Sequence, residues 1–561
     1  MVERASPLGD PNSGYVFKPH EKPFMPGSPA TPDHPGARKV AYLLIGLYLA
    51  IVGGMQNGLL IANLTTVQSN LALTPVEGGW VTVAFNLTNA CMSMLLFKVR
   101  QQFGIQRFVR AAMLVLLLAN FVQLFDAGYH VELLSRGIAG IAGSCVSTLA
   151  TFYLMQGVPA KAKIVAVLVG MGLGQVAIPL ARAMSPALLA SGDIDHLFQL
   201  QFALSLVAVG LVNILHLPPG ETVRSFERLD FVTFPLLASG IGLLCAFLVQ
   251  GRIIWWDKPW LGYALAGAIL LIGLAFLIEH NRANPMLHTR WMTSGSILAF
   301  ALTGAMVRVL LSEQNFGATG LLSTVGMVND QLVTYYWILT LATFLGMAVS
   351  IVRLDPTDLG RPVMVAMGII MVAAFLDTRS GVLTRPADLY WTQALLAFAS
   401  VYVMASLMMT GILRALSRGP DYIISFIAVF GLSQTIGGLA GVAVLSAFHT
   451  IRVKAHLMTM GQSLSLSDPA VAQAIGQLAA GQSATLGDAA LRQATGASRL
   501  LQQVNQEAAI LAFNDTFFLL GCLAGVAFAI TFARWVYLRH KGINPLANEL
   551  AALKSMMGRS A

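Results

Sequence analysis

Apolar runs long enough to cross a bilayer divide the chain fourteen times. A spanning helix needs about 20 mostly apolar residues, because it rises ~1.5 Å per residue through the hydrocarbon core. Only 11% of the 561 residues are charged, against about 25% in soluble proteins. The sequence therefore predicts an all-α polytopic membrane protein. The predicted spans 1–14 are residues 41–64, 77–97, 108–127, 129–155, 162–188, 197–217, 231–250, 259–279, 294–314, 332–352, 361–377, 389–412, 421–447 and 509–537.

The charges of the chain indicate its orientation. The formal net charge is +9, but the basic residues are spread over short loops, with no basic stripe and no nucleic-acid motif. We therefore expect no nucleic-acid partner. Most of the 35 lysines and arginines fall in segments that are cytoplasmic if the N-terminus is inside. The positive-inside rule then predicts both termini in the cytoplasm.

Two loops suggest an internal repeat. RQQFGIQR follows span 2 and DPTDLGRP follows span 10, and each is a short basic turn with a central glycine, Gly104 or Gly360. Transporters are often built from such repeated halves. The predicted organisation is a disordered cytoplasmic tail at 1–40, an N-terminal six-helix half at 41–217, a linker with two inserted helices at 218–293, a C-terminal six-helix half at 294–540 with an outer loop at 449–508, and a cytoplasmic tail at 541–561.

The stretch Val169–Met184, VGMGLGQVAIPLARAM, is unusual for a membrane helix. Its alternate glycines, which include Gly174, and Pro179 loosen the helix, while Gln175 and Arg182 are polar. Such residues are tolerated where a helix faces other helices or a wet cavity. We therefore expect this part of span 5 to face a cavity around which the bundle is built.

Four charged residues are predicted at one depth in the membrane. Counting residues from the outer helix ends places Arg136, Arg182, Arg308 and Asp515 roughly 10 Å below the outer surface. One interpretation is an outer gate closed by salt bridges, in which Arg136 or Arg308 pairs with Asp515 or Glu313. Another is a positive vestibule that attracts anionic or aromatic-acid substrates. A third is that the arginines extend outward to the surface.

Carboxylates inside predicted spans are scarce. A proton-coupled carrier needs a group that titrates as access alternates, and a buried carboxylate is the usual choice. Asp515 is the first candidate and Glu313 the second, with a plain ion-pair partner or a residue at the mouth as the alternative for each. Amides on apolar spans either bond between helices or line the substrate path. These are Gln56, Asn57, Asn86, Gln175, Gln314 and Gln434.

The segment between spans 13 and 14 is unlike the other outer loops. Within Thr450–Glu507, the pieces AVAQAIGQLAA and ASRLLQQVNQEAA have helical spacing. This predicts either a surface helical hairpin or a docking surface for a partner outside the membrane.

No pattern in the chain predicts catalysis. The four cysteines lie in apolar runs without CxxC spacing, and there is no nucleotide-binding glycine loop and no HExxH. We expect no metal and no cofactor. A membrane-embedded enzyme is therefore disfavoured. A receptor is disfavoured because it would be expected to carry an attached signalling domain.

Five stretches resemble segments of one transporter family. They are EGGWVTVAFNLTNA (Glu77–Ala90), the run Leu229–Trp260, IEHNRANPMLHTRW (Ile278–Trp291), SQTIGGLAGVAVL (Ser433–Leu445) and FNDTF (Phe513–Phe517). Their order and spacing are similar to those of the fourteen-span drug:proton antiporter branch of the major facilitator superfamily, the EmrB/QacA type. The resemblance covers about residues 40–540.

The resemblance implies a fold, an activity and partners. The fold is the major facilitator fold, with two six-helix halves plus two inserted helices. The activity is secondary efflux of small amphipathic or toxic compounds by proton antiport through alternating access. The long loop before span 14 is typical of EmrB-like members that work with a periplasmic membrane-fusion adaptor and an outer-membrane channel. The location is then the bacterial inner membrane, in contact with lipids, with residues 450–507 touching the adaptor.

The chain departs from the family where the family places its coupling residues. The loop after span 2 keeps Gly104 but has no aspartate, and span 1 offers Gln56 and Asn57 in place of a carboxylate. In the span 5 motif Pro179 is kept, but Arg182 stands where a glycine is expected.

The span 4 motif keeps Arg136 and Gly140 and lacks its glutamine. The resemblance thus assigns the conformational motifs to Gly104, Gly174 and Pro179. It leaves a uniporter or importer of organic acids, uncoupled or differently coupled, as the alternative function.

Overall fold

The computed structural model describes most of the chain. The described residues are 18, 21–23, 27–125, 128–159, 162–190, 193–282, 284–419, 421–465, 467–481 and 488–551. Within them the fold is helical and without strands, and fourteen helices are long and apolar enough to cross a membrane. The predicted all-α architecture and the number of spans are confirmed.

The fourteen helices follow the predicted order. Numbered as spans 1–14, they are Gly36–Asn70, Pro75–Phe103, Ile105–Val122, Tyr129–Gly157, Lys163–Leu188, Asp195–Ile214, Asp230–Ile254, Pro259–His280, Gly295–Thr324, Asn329–Val352, Gly360–Asp377, Pro386–Leu416, Tyr422–Gln462 and Ala489–Lys541. We call the end of the bundle that holds Gly36 and Lys541 the proximal end, and the end that holds residues 325–332 the distal end.

The spans form two groups and an insertion. In the first half, spans 1, 2 and 3 pack on span 4, and span 6 packs on span 1. In the second half, spans 9–14 pack together. Spans 7 and 8 pack against each other and lean on span 2 through span 7. The halves meet where span 5 contacts spans 10 and 12, and where span 2 contacts span 13. The predicted two halves with two inserted helices are therefore present.

Local sequence signals explain how span 2 begins and ends. Thr74 Oγ1 accepts a hydrogen bond from the Glu77 backbone N–H, and Glu77 Oε2 accepts one from the Thr74 backbone N–H. This capping box satisfies donors at the start of a helix that have no partner within it. At the other end Gly104 has a φ of 79°, a conformation that favours glycine. Gly104 thus lets the chain turn directly into span 3.

Span 5 is interrupted where its sequence is unusual. Two α-helical pieces, Lys163–Gly172 and Ala177–Leu188, flank a 3₁₀ turn at Leu173–Val176. Pro179 has no N–H to donate to the Gln175 carbonyl, which loosens the helix at the same place. The break lies at the level where span 5 approaches span 10 of the other half.

Span 9 carries a wide turn. A π-helical turn at Gln314–Ala318 separates the α-helical pieces Gly295–Leu310 and Thr319–Thr324. Such turns are rare overall, and those that occur often lie at functional sites. Glu313 stands immediately before it.

Spans 13 and 14 continue far beyond the bilayer. The helix of span 14 has 53 residues and is ~80 Å long, whereas the hydrocarbon core is ~30 Å thick. Pro469–Ala480 forms a separate helix that packs on the start of this long helix. Both pieces of 450–507 with helical spacing are helical, while residues 466 and 482–487 lie outside the described residues.

A short segment before span 1 is ordered, unlike the tail expected for 1–40. Ala30 is fully buried, its N–H donates to the Pro219 carbonyl, and its carbonyl accepts from Gln156 Nε2. Pro29 and Gly220 form an isolated β-bridge. Residues 27–35 therefore cover the proximal end of the first half because backbone groups of the span 6–7 linker are there to pair with them.

An ion cluster joins span 2 to span 7 at the proximal end. Asp230 accepts from Lys98 Nζ at 2.6 Å and from Arg282 Nη1 at 2.9 Å. Arg282 also donates to Glu279 at 2.6 Å and to Glu227 at 2.9 Å. The Arg282 guanidinium and the Asn284 amide hold the pKa of Glu227 below its usual range. The cluster anchors the inserted helices to the first half.

Candidate functional site

A cavity of about 1490 Å³ lies between the two halves. Spans 1, 2, 4 and 5 line it from one side and spans 9, 10, 12 and 13 from the other, and the end of span 7 also contributes to the lining. Its proximal end is closed by buried side chains such as Phe97, Arg100 and Ile423. At the distal end its lining includes the exposed residues Ala190 and Asp330. The cavity is therefore open at the distal end and closed at the proximal end.

The lining of the cavity is strongly positive. Asp330, at the exposed mouth, is its one carboxylate among the described residues. The lining arginines are Arg100, Arg182, Arg252 and Arg308, and none of them is within salt-bridge distance of a described carboxylate. An arginine without a counter-ion is costly inside a membrane protein. The cavity thus offers unneutralised positive charge to whatever enters it.

Arg308 projects from span 9 into the space beside span 13. Its Nη1 reaches Gln175 Oε1 of span 5 at 3.5 Å, a long contact. Gly438 leaves room for this side chain, since a Cβ added there would lie 3.2 Å from Arg308 Nε. Gly437 likewise faces the Arg308 Cβ. The paired glycines of span 13 are what allow a guanidinium to occupy this position.

Arg182 bridges the halves near the distal end. Its Nη1 donates to Thr319 Oγ1 of span 9 at 2.8 Å, and its guanidinium lies 5.4 Å from the centre of the Tyr336 ring of span 10. The Thr319 hydroxyl donates in turn to the Gln314 carbonyl at 2.9 Å, within the π-helical turn. Arg182 therefore reaches the second half through a hydroxyl and a ring, and no described carboxylate neutralises its positive charge.

Arg136 and Asp515, which were expected at the same depth, face elsewhere. Arg136 is fully buried, donates to the Gln56 carbonyl at 2.7 Å and lies over the Phe85 ring, outside the cavity lining. Asp515 Oδ2 accepts from Arg452 Nε at 2.7 Å and His456 Nε2 at 2.6 Å. In the expected outer gate, Arg136 or Arg308 would pair with Asp515 or Glu313, and neither arginine does so. The expected salt-bridge gate is not formed.

Glu313 has partners that the sequence did not indicate. Its carboxyl is 1% exposed and accepts from Gln393 Nε2 at 2.9 Å, and the same nitrogen donates to Asp377 Oδ2 at 2.9 Å. Asp377 was overlooked because it ends the apolar run of span 11 and resembles a loop residue. Buried carboxyls are thus more numerous than expected, since Glu132 is also buried in span 4.

The predicted amides divide between the cavity and the helix contacts. Asn57, Asn86, Gln175 and Gln434 line the cavity, as do the overlooked Asn89 and Asn315. Gln56 is fully buried and its Oε1 accepts from Gln201 within the first half. Gln314 donates to the Gln393 carbonyl at 3.4 Å. Gly174 also lines the cavity, whereas Pro179 and Gly104 do not.

The similarity of this chain to known proteins is a similarity of fold. No family model matches the chain, and no curated protein matches its sequence. The human organic anion transporter MFSD10 (TETRAN) matches with a TM-score of 0.52 and 14% identity, over 88% of this chain and 100% of that chain. A tetrameric PepTSo2 matches with a TM-score of 0.55 and 12% identity, over 90% and 99%. An auto-inhibited POT family peptide transporter matches with a TM-score of 0.52 and 14% identity, over 89% and 96%.

The chain has the major facilitator fold. In the terms of this fold, spans 1–6 and 9–14 are the two six-helix halves, and spans 7 and 8 are inserted between them. The arginine-lined cavity occupies the space between the halves. Among the described residues, no group of three or more His, Cys, Asp or Glu side chains could hold a metal ion.

Proposed function

We propose that this protein is a secondary transporter that exports small amphipathic organic anions by alternating access. The observation that carries the proposal is the cavity, whose four arginines have no carboxylate partner among the described residues. An anion that enters would neutralise guanidinium groups whose burial is otherwise costly. Small organic ligands are usually bound by an apolar pocket with a few convergent polar groups.

The walls suit a ligand with an apolar or aromatic body. Phe316 and Tyr336 line the distal part, and Phe426, Phe430 and Met404 line the deeper part. Aromatic rings stack against flat apolar surfaces, and flexible methionine side chains adapt to irregular ones. The combination favours aromatic or amphipathic acids over small inorganic anions. The likeness to a human organic anion transporter agrees with this class, although it extends to the fold alone.

Alternating access is supported by where the halves touch. Arg182 and Thr319 join the halves toward the distal end, while span 2 contacts span 13 elsewhere along the cavity. The cavity is open distally in this structure. A rocking motion of the halves would close the distal mouth and open the proximal end.

Orientation and partners follow from charge and from the family resemblance. The excess of Lys and Arg at the proximal end supports a cytoplasmic proximal end. The family resemblance implies the bacterial inner membrane. The structure then faces outward. We also propose a tripartite efflux system, in which the helices of 450–507 meet a periplasmic adaptor that leads to an outer-membrane channel. Exposed Met458, Leu491 and Leu501 on those helices support a contact surface there.

The adaptor contact has its own test. Replacing the exposed Met458, Leu491 and Leu501 together by serine is expected to end copurification with a coexpressed membrane-fusion adaptor. Transport in proteoliposomes should continue, because the cavity lies elsewhere. Unchanged copurification would contradict the proposed contact between residues 450–507 and the adaptor.

Transport is tested with purified protein in proteoliposomes. The substrates are an aromatic carboxylate, its uncharged amide and a quaternary ammonium of similar size, each with and without a pH gradient. Arg308→Gln should raise the KM for the carboxylate at least tenfold. Arg379→Gln, at an exposed distal arginine outside the cavity, should leave it unchanged. Preference of the wild type for the cation, or no transport at all, would overturn the proposal.

A differently coupled carrier is the second candidate. Span 1 offers Gln56 and Asn57 where the resembled family has a carboxylate, and the buried lining of the cavity holds none among the described residues. A uniporter or importer of organic acids fits these features. Carboxylate flux that is the same with and without the pH gradient would favour this candidate over proton antiport.

A further inference from the structure

Two buried carboxyls of the second half are held together by one amide. Gln393 Nε2 donates to Glu313 Oε1 and to Asp377 Oδ2, each at 2.9 Å. Glu313 of span 9 is 1% exposed, Asp377 of span 11 is 3% exposed and Gln393 of span 12 is 0% exposed. An amide nitrogen has two hydrogens, so Gln393 can satisfy one oxygen of each carboxyl. The geometry brings two acids together in a place that water does not reach.

Among the described residues, no cation balances this pair. Neither carboxyl is within salt-bridge distance of a described Lys, Arg or His. The groups that face the pair are uncharged: the Ala318 peptide N–H of span 9, Tyr335 of span 10, Thr392 and Gln393 of span 12, and the Phe517 ring of span 14 beside Glu313. Arg182, whose charge is felt by Tyr335, is engaged with Thr319 and Tyr336. Two adjacent negative charges in such surroundings repel each other strongly.

Unpaired polar atoms around the pair supply a second observation. Glu313 Oε2, Gln393 Oε1 and the Tyr335 hydroxyl are buried and have no hydrogen-bond partner in the described part of the chain. Buried polar atoms are nearly always paired, so three together call for an explanation. A proton on Glu313 Oε2 would turn that oxygen from an acceptor into a donor.

We propose that Glu313 and Asp377 share one proton and form the proton-binding site of the transport cycle. The proposal rests on the transport function above and adds to it a site outside the substrate cavity. Acids that share a site commonly hold a single proton between them. One proton leaves the pair with one negative charge and gives Glu313 Oε2 a hydrogen to donate.

The pair is linked to the cavity by hydrogen bonds. Gln314, next to Glu313, donates to the Gln393 carbonyl, and its own carbonyl accepts from Thr319. Thr319 is the partner of Arg182 in the other half. Movement of Arg182 with a bound anion would therefore act on the π-helical turn that carries the pair. The proton and the anion would be coupled through this chain without sharing a site.

A carbodiimide distinguishes this site from other acids. Dicyclohexylcarbodiimide reacts with protonated carboxyls in apolar surroundings, and mass spectrometry locates the label without any measurement of transport. We expect labelling at Glu313 or Asp377 in the wild type at neutral pH, and at least tenfold less at Asp515, whose carboxylate has Arg452 and His456 as partners. Absence of label from both residues, or protection by sodium at constant pH, overturns the proton site.

Transport of variants completes the test. Glu313→Gln and Asp377→Asn should each reduce transport driven by a pH gradient at least tenfold, while exchange of labelled for unlabelled carboxylate continues. Continued exchange also shows that the variants are folded. Asp515→Asn is the matched control and should keep gradient-driven transport. Full gradient-driven transport by both pair variants overturns the proposal, whereas a wild type that moves no carboxylate overturns the proposed function instead.

Discussion

Arg182 Nη1 donates a hydrogen bond to Thr319 Oγ1 across 2.8 Å, and this contact joins span 5 of one half to span 9 of the other. It lies at the edge of the cavity, and both residues belong to its lining. The same hydroxyl continues to the Gln314 carbonyl of the π-helical turn. One contact thus links the interface of the halves, the substrate space and the turn beside Glu313.

Removing the acceptor at Thr319 should weaken the distal interface. Thr319→Val keeps the shape of the side chain and leaves a guanidinium nitrogen of Arg182 unpaired. A hydrogen bond to a charged group contributes about 1.5–3 kcal/mol, so the thermal unfolding midpoint of detergent-purified protein should fall. Thr319→Ser keeps the hydroxyl and should remain close to wild type. Equal midpoints for the Val variant and wild type would show that the contact contributes nothing.

A methyl group at Gly438 should displace the guanidinium of Arg308. The added Cβ would lie 3.2 Å from Arg308 Nε, closer than most real contacts. Gly438→Ala is expected to raise the KM for an aromatic carboxylate several-fold with normal protein abundance. Gly461→Ala, in the same long helix but with nothing within 4 Å of its added Cβ, is the control. A KM unchanged by Gly438→Ala would argue that Arg308 does not bind substrate.

Asp230 should be essential for stability. Its carboxylate is the one described partner of the buried Lys98 and also binds Arg282. Asp230→Asn leaves a buried ammonium without a counter-ion, which costs about 3–5 kcal/mol. Glu227→Gln changes a carboxylate that is 42% exposed, and exposed pairs contribute about 0–1 kcal/mol. Thermal unfolding should rank the two variants in this order, and the reverse ranking would contradict the role of the cluster.

Acid should release the segment before span 1. Burial lowers the pKa of His34, helped by nearby Arg38 and Lys39, although Gln156 and Asp33 oppose the shift. A histidine whose folded pKa lies below its unfolded value of about 6.5 stabilises the folded segment at higher pH. This contribution is lost as the pH falls through the folded pKa.

Hydrogen exchange at residues 27–35 measures that release. Exchange should be faster at about pH 5.5 than at about pH 7.5, after correction for the intrinsic rates. His34→Gln, which cannot be protonated, should show little dependence on pH. If His34→Gln keeps the full pH dependence, a group other than His34 causes the effect.

The apolar runs were sufficient to predict the architecture. A backbone in lipid must satisfy its own hydrogen bonds, so each long apolar run has to be a helix, and counting runs counts spans. Fourteen spans, the two halves and the inserted helices followed from that rule and the loop repeat. The unusual composition of span 5 likewise predicted a helix on a cavity, and Gln175 and Arg182 do line one.

Counting residues from the helix ends predicts depth and gives no information on direction. Arg136, Arg182, Arg308 and Asp515 were expected to meet because they were counted to one level. A helix can present a residue to any side, and its rotation is set by packing against neighbours. Arg182 and Arg308 point into the cavity, Arg136 points to span 1, and Asp515 points to Arg452.

The sequence by itself determined how many helices cross the membrane and where charge and glycine interrupt them, because hydrocarbon imposes those rules on each segment separately. Only the tertiary structure decided that Glu313, Asp377 and Gln393 meet, since they are carried by three spans whose relative rotation no single segment encodes. It also decided that the cavity arginines have no carboxylate partners among the described residues. Both features depend on distances between helices, and it is on these distances that the proposed anion and proton sites rest.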